Sequence, residues 1–467
     1  MTEDSARILP APLTLETPAP VPALGPVLLA AAIAAVAFTL SELLLPASIA
    51  APARRCIGVF AATAAFWAWG RPDPAVTALL ALVLLPATGA LPSARVFAAF
   101  GSETVFFALG ALLLAAALQA TGLSTRLSAW ALARAGGSPA RIRTALYLLS
   151  GGLALVMNEH AVAAMLLPLA FQLADALPER GRRGGFSASL CLAVAWGSTA
   201  GGIGTMLGGT RAPLALGVLE QAGAPRFGFA GYSLAALPVS ATLFSLGLLL
   251  LRVLYPAPAL LVPPVAAADR PLCAREKVAG ATLALAVIAW AALGDRLGLA
   301  TIGLAAAVVL VASGTVSWQD LERRVHWGAL VLIGCAVALG SALAQSGAAE
   351  VLARRLAGFP PALLPGALVA ATVLLTSLMS HAATVATLLP LGLTLAVPGQ
   401  AREVALIVAV ASGLGFALPA SSVANVLALS SGRLSPRQIL VGGAAMAAAG
   451  TLLVLACSRW LWPALGF

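Results

Sequence analysis

The sequence predicts an all-α polytopic membrane protein with about eleven transmembrane helices plus two re-entrant helical hairpins in an inverted repeat. Three observations predict it. The chain is 61% hydrophobic and 9% charged, whereas soluble domains carry about 25% charge. Its apolar runs have the ~20-residue length that a bilayer-crossing helix needs, with short loops between them. One segment, Val156-Met157-Asn158-Glu159-His160-Ala161-Val162-Ala163-Ala164-Met165-Leu166-Leu167-Pro168, is written a second time as Ser380-His381-Ala382-Ala383-Thr384-Val385-Ala386-Thr387-Leu388-Leu389-Pro390. Ala161, Ala164, Leu166, Leu167 and Pro168 are matched by Ala383, Ala386, Leu388, Leu389 and Pro390. Each copy is an apolar limb, a small polar patch and a second apolar limb. Polar, non-helical backbone survives at membrane depth only where it is buried in protein or lines a wet cavity.

Residues 1–24 are Pro-rich, carry Glu3, Asp4 and Glu16, and lack the basic start and cleavage site of a signal peptide, so they read as a disordered tail. Apolar runs at about 25–45, 56–70 and 74–91 are three spans, separated by Pro46, Arg54-Arg55 and Arg71-Pro72-Asp73. Residues 102–122 are a fourth. The stretch 123–145, with Arg126, Arg134, Arg141 and Arg143, predicts an amphipathic helix on the membrane surface. The first hairpin is expected over 144–177, followed by Arg180, Arg182 and Arg183. Basic residues on both sides place its open end in the cytoplasm. A span over 186–222 is broken at Ala200-Gly201-Gly202-Ile203-Gly204-Thr205 and at Gly208-Gly209-Thr210-Arg211-Ala212-Pro213, because each glycine costs a helix interior about 1 kcal/mol against alanine. The span 229–254 completes a first membrane half, 25–255.

The proline-rich stretch 256–277, with Arg270, Arg275 and Lys277, reads as a cytoplasmic linker. The second half, 278–467, has spans at about 278–294 and 299–316, then 327–347, which mirrors 102–122. A second hairpin is expected over 359–398. The span 403–431 is broken at Pro419-Ala420-Ser421-Ser422-Val423-Ala424-Asn425, and a last span ends near 463. Five crossings separate the hairpins, so they enter from opposite faces and their tips approach near the midplane. Paired interrupted segments in two halves are the sequence signature of a transporter's substrate site.

The net charge of +10 rests on 27 basic residues that lie mostly in short loops, where they orient the chain in the membrane. No aromatic-basic interleaving of the kind that stacks bases is present, so nucleic acid is not an expected partner. Membrane lipid is. Of the five cysteines, Cys56, Cys191, Cys335 and Cys457 lie in apolar runs without a C-x-x-C pair and read as packing residues. No cofactor is expected.

The converging polar set is Glu159, His160, His381 and Arg211, surrounded by Asn158, Ser380, Gly202, Gly204, Thr205, Gly209, Thr210, Ser421, Ser422 and Asn425. A charged side chain at bilayer depth costs at least about 2.5–3.5 kcal/mol, so it faces a cavity and has a partner. Two readings follow. Arg211 offers its planar fork to a carboxylate or other oxyanion, or it bridges Glu159 and ties a hairpin to a broken helix, as a Glu159–His381 pair would. Glu159 beside histidines can exchange a proton, or it can contribute, with Asn158 and Thr205, to a sodium site, since hard cations favour oxygen. His326, beside Trp327 at a span start, reads as interfacial.

This order of elements resembles the divalent anion/sodium symporter family, the dicarboxylate and sulfate transporters of solute carrier family 13. The anchors are Leu109-Gly110-Ala111-Leu112-Leu113-Leu114-Ala115-Ala116-Ala117-Leu118 with Thr121-Gly122-Leu123, Trp327 with Gly334, Leu339-Gly340 and Ser346-Gly347, and above all the hairpins ending in Met165-Leu166-Leu167-Pro168 and Leu388-Leu389-Pro390. The resemblance implies that the hairpin tips contact substrate carboxylates while nearby oxygens hold sodium. Where the family writes Ser-Asn-Thr, this chain has Asn158-Glu159-His160 and Ser380-His381-Ala382; the family's Gly-Thr-Pro-Pro-Asn falls on Gly208 to Ala212, and its second-half Ala-Thr-Pro-Pro-Asn on Ser421 to Asn425. The expectation is a permease of the inner or plasma membrane for a dicarboxylate- or sulfate-like anion, coupled to protons or sodium by alternating access, with a scaffold part that can form a homodimer. The alternatives are an arsenite-type exporter or sodium/proton antiporter on a related scaffold. A membrane metalloenzyme lacks the H-E-x-x-H type of spacing that a zinc site uses.

Overall fold

The computed structural model describes residues 38–39, 45–69, 73–175, 177, 185–258, 271–355, 360–418 and 421–467. The tail expected at 1–24, most of the span expected at 25–45, and the arginines expected to follow the first hairpin lie outside these residues. Among the described residues every regular element is helical. The first half runs α1 (Ala51–Trp69), α2 (Pro74–Ala87), α3 (Ser93–Ala98), α4 (Glu103–Ala120), α5 (Leu123–Ala135), α6 (Pro139–Ala154), α7 (Glu159–Asp175), α8 (Phe186–Ile203), α9 (Arg211–Gln221) and α10 (Phe229–Leu254). The second runs α11 (Ala274–Leu297), α12 (Leu299–Ala312), α13 (Trp318–Arg324), α14 (Trp327–Gln345), α15 (Ala348–Arg355), α16 (Leu364–Leu378), α17 (His381–Leu395), α18 (Ala401–Ala411), α19 (Val423–Ser430) and α20 (Pro436–Ala456).

Among the described residues six helices are long and apolar enough to cross a membrane alone: α4, α8, α10, α11, α14, and α20 with its continuation to Ala464. The shorter ones are short for reasons written in the sequence. Helices α6 and α7 form one hairpin, turning at Leu155–Asn158, and α16 and α17 form the other, turning at Met379–Ser380. Helix α8 stops at Ile203 and α9 begins at Arg211, and α18 stops at Ala411 and α19 begins at Val423; Pro419 and Ala420 of the break expected there lie outside the described residues. Helix α5, expected on the membrane surface, buries Ser124, Ser128, Leu132 and Ala135 and leaves Leu127 and Trp130 exposed. Arg134 covers the Trp130 ring at 4.2 Å.

The helices form two groups that meet through α9, which packs on α14 as well as on α17. One holds the hairpins, the broken helices, α10 and α20. The other is a scaffold in which α4 packs on α12 and α14 on α2. The halves exchange partners at the hairpins: α7 packs on α19 of the other half, and α17 on α9. Without a hydrophobic drive between helices inside a bilayer, close contact relies on small residues. Gly151 of α6 meets Gly201 of α8 backbone to backbone, and Gly110 of α4 meets Gly303 of α12 the same way. Ser150 and Ser240 hydroxyls donate to the Ala193 and Ala200 carbonyls of α8, at 3.1 and 2.7 Å. At one end of the seam between the parts, Arg226 of the α9–α10 loop donates to Glu103 of α4 at 2.9 Å, and the other Glu103 oxygen accepts from the Leu299 amide at 2.8 Å.

Candidate functional site

Glu159, Arg211 and His381 are the first residues of α7, α9 and α17. Three helix N-termini therefore meet at one buried point, each with orphan amides and a partial positive charge. An acid suits such a place, whereas a guanidinium at the start of its own helix does not and needs a counter-ion. It has one. Glu159 Oε1 and Oε2 accept from Arg211 Nη1 and Nη2 at 3.0 and 2.8 Å, the bidentate fork geometry. The side chains are 1% and 2% exposed. His381 Nδ1 lies 3.1 Å from Glu159 Oε1 and 2.8 Å from Arg211 Nη1.

That last pair of distances sets a conflict. Nδ1 can carry a proton for Glu159 or a lone pair for Arg211, and not both. Whichever it does, Nε2, buried without a hydrogen bond, is left unpaired. The fork of Arg211, expected either to face an anion or to bridge Glu159, is closed on Glu159. The repeat that aligns Leu166 with Leu388 also aligns Glu159 with His381, 222 positions apart, so two repeat-equivalent residues touch.

The surroundings are cut to fit this cluster. A Cβ on Gly202 would stand 2.5 Å from Glu159 Oε2 and 2.9 Å from the Gly208 carbonyl; one on Gly415 would stand 2.9 Å from His381 Nε2, and one on Gly413 3.2 Å from the Arg211 guanidinium carbon. The Glu159 amide donates to the Gly208 carbonyl at 2.9 Å. Thr205 Oγ1 donates to Leu155 O at 2.5 Å and accepts from the Leu207 amide at 3.2 Å, fastening the break of α8 to the first tip. Gly204 packs against Leu155 and Leu237. Asn158 Oδ1 caps α7 by accepting from the His160 amide at 2.9 Å, and Ser380 Oγ caps α17 through the Ala383 amide at 3.3 Å.

Gly209 and Thr210, with Asn158, line a small void of about 20 Å³ beside this cluster. A larger cavity of about 570 Å³ opens from the first tip between α4, α5, α7, α19 and the α13–α14 link. Asn158 and His160 lie at its hairpin wall, and the Nδ1 of His160 is buried without a partner. The second-half residues Ser421, Ser422 and Asn425 do not line it. Ser421 Oγ donates to Gly415 O at 2.6 Å, Ser422 Oγ caps α19 at 3.2 Å, and Asn425 Nδ2 donates to Leu418 O at 3.2 Å, so they hold the break of the α18–α19 span. Sequence reasoning missed Arg324 and His326 at the cavity's far side. The signal was a histidine two positions after an arginine pair, Arg323-Arg324-Val325-His326, at the foot of α14, the mirror of α4.

Among the described residues no group of three or more His, Cys, Asp or Glu is arranged to hold a metal ion. The citrate transporter family model (CitMHS) matches residues 64–415. An uncharacterized transporter of Haemophilus influenzae is 25% identical over 333 residues, covering 67% of this chain and 69% of that protein. The sodium-dependent dicarboxylate transporter SdcS of Staphylococcus aureus is 24% identical over 393 residues, covering 76% and 75%. The crystal structure of the Alcanivorax borkumensis YdaH transporter has the same fold, with a TM-score of 0.53 at 18% identity over 80% of this chain and 87% of that one. A multi-pass permease of the inner or plasma membrane, a secondary transporter of small anions rather than an enzyme, this chain belongs to the citrate transporter family, of the divalent anion/sodium symporter type that its hairpins resemble.

Proposed function

We propose that the protein carries a small di- or tricarboxylate across the membrane by alternating access, that Asn158 and His160 face the substrate, and that the Glu159–Arg211–His381 cluster behind them is the coupling group. The observation that supports this most is the meeting of the N-termini of α7, α9 and α17 next to a cavity that holds His160 and no carboxylate. Helix N-termini aimed at a midplane site favour anionic substrates. The relatives named for citrate and for dicarboxylates agree with that charge.

Sodium as the coupling ion has the support of the staphylococcal transporters' names, with Asn158, Glu159 and Thr205 as its nearest oxygens. A proton has the support of the unpaired His381 Nε2 and the contested Nδ1. The exposed apolar faces of α11 and α12, with Leu285, Ile288, Val308 and Val309, meet lipid, and the scaffold part supplies the homodimer contact. Uptake of labelled citrate, succinate and sulfate into proteoliposomes tests the reading, under a sodium gradient or a pH gradient, with Glu159→Gln alongside. Carboxylate uptake under one gradient, lost in the variant, supports it. An intact, correctly inserted protein that moves none of the three anions under either gradient overturns it.

A further inference from the structure

The cavity beside the first tip has a second wall that the hairpins do not build. Arg324, the last residue of α13, and His326, the residue before α14, line it on the scaffold side, facing the hairpin wall that carries Asn158 and His160. The other lining residues are Gln119, Ser124, Thr125 and apolar side chains of α4, α7 and α19, so three groups that carry or accept positive charge share the space with no Asp or Glu among its lining. Arg324 is only loosely engaged. Its Nη1 donates to the Asp320 carbonyl at 3.1 Å and stands 3.5 Å from Asp320 Oδ1, at the outer limit of a hydrogen bond. Asp320 itself is held by Ser317, whose hydroxyl donates to Oδ2 at 2.7 Å. The guanidinium therefore keeps donors for a planar oxyanion, and a space of this size is within the ~300–1,000 Å³ range of small-molecule sites.

We propose that Arg324 and His326 form a second carboxylate-reading subsite, on the scaffold, which takes the additional carboxylate of a tricarboxylate while the hairpin tip holds the rest. The inference rests on the anion-transport reading and adds to it the residues that separate a tricarboxylate from a dicarboxylate. The tip alone serves succinate. Citrate uses both walls, because its third carboxylate matches the fork of Arg324, and bidentate pairing of this kind is the strong, geometry-selective form of the contact. Since the subsite belongs to the scaffold and the tip to the hairpin part, both touch the substrate together only while this cavity is open.

The test is calorimetric titration of the purified full chain, in neutral detergent free of anionic lipid, with citrate and with succinate. Arg324→Gln is expected to weaken citrate binding about tenfold and to leave succinate within about twofold, with His326→Gln weaker in the same direction. Asp320→Asn removes the competing carboxylate and is expected to tighten citrate about two- to threefold, a gain that a damaged fold does not give. Equal losses for both ligands in Arg324→Gln, an unchanged ratio, or variants that alter only the retention of anionic lipid overturn the subsite. A wild-type protein that binds neither ligand overturns the transport reading and this inference with it, whereas wild-type binding with an unchanged ratio in the variants overturns this inference alone.

Discussion

Replacing Arg211 by glutamine leaves the Glu159 carboxylate buried without a counter-ion. Two charge-assisted bonds, at 3.0 and 2.8 Å, are lost. Each is worth about 1.5–3 kcal/mol, in line with the ~3–5 kcal/mol cost of removing one partner from a buried pair. A kcal/mol moves the midpoint by ~2–4 °C in chains of 150–250 residues and by less in a longer one, so a fall of roughly 3–10 °C is expected in Arg211→Gln. The double variant Glu159→Gln with Arg211→Gln removes both charges and leaves two amides able to pair. It should be more stable than Arg211→Gln alone, with a coupling of a few kcal/mol. Thermal unfolding of the four proteins, followed by intrinsic fluorescence in one detergent, measures it. Additive single and double effects, or a shift of under 1 °C in Arg211→Gln, would show that the guanidinium and carboxylate are not energetically joined, and the reading of a buried bridge would fall.

Gly202→Ala should abolish uptake and lower the unfolding midpoint, because its Cβ would stand 2.5 Å from Glu159 Oε2 and 2.9 Å from backbone; overpacking of this kind costs about 1–3 kcal/mol. Gly340→Ala, whose Cβ meets nothing closer than 3.9 Å, is the control and should be silent in both assays. Ser380→Ala removes the cap of α17 and should cost about 0.5–2 kcal/mol in denaturant unfolding without moving substrate affinity. Arg226→Ala opens a half-exposed bridge to Glu103, so stability should change by less than about 1 kcal/mol, while labelling of a cysteine placed at Thr104 should rise as that end of the seam loosens.

The fold was legible because its signals are coarse. Apolar length gives spans, glycine density gives the break after Ile203, and the duplicated Leu-Leu-Pro ending marks both hairpins. The first tip was legible too, since an acid and a histidine inside an apolar run require partners, and the two residues expected as partners, Arg211 and His381, are the ones in contact. The second-half polar residues were harder. Ser421 and Asn425 look like ligand groups in a sequence, yet such side chains also satisfy carbonyls exposed wherever a helix is broken, and spacing does not separate these uses. Arg324 and His326 were hidden for another reason. They lie at the end of α13 and just beyond it, where arginine is the ordinary orienting residue, and only the packing of α13 and α14 against α4 brings them over a cavity.

Contact between Glu159 and His381 has a consequence for how two such halves can have diverged. Positions related by the repeat that meet each other lie on its pseudo-two-fold axis, so each faces its own counterpart. With a buried guanidinium between them, charged copies fail there: two glutamates repel, and two histidines leave Arg211 without an anion. Around Arg211 the two tips are thus held to different residues. An acid in one and an imidazole in the other is the arrangement that lets a single guanidinium, present in only one broken helix, serve both.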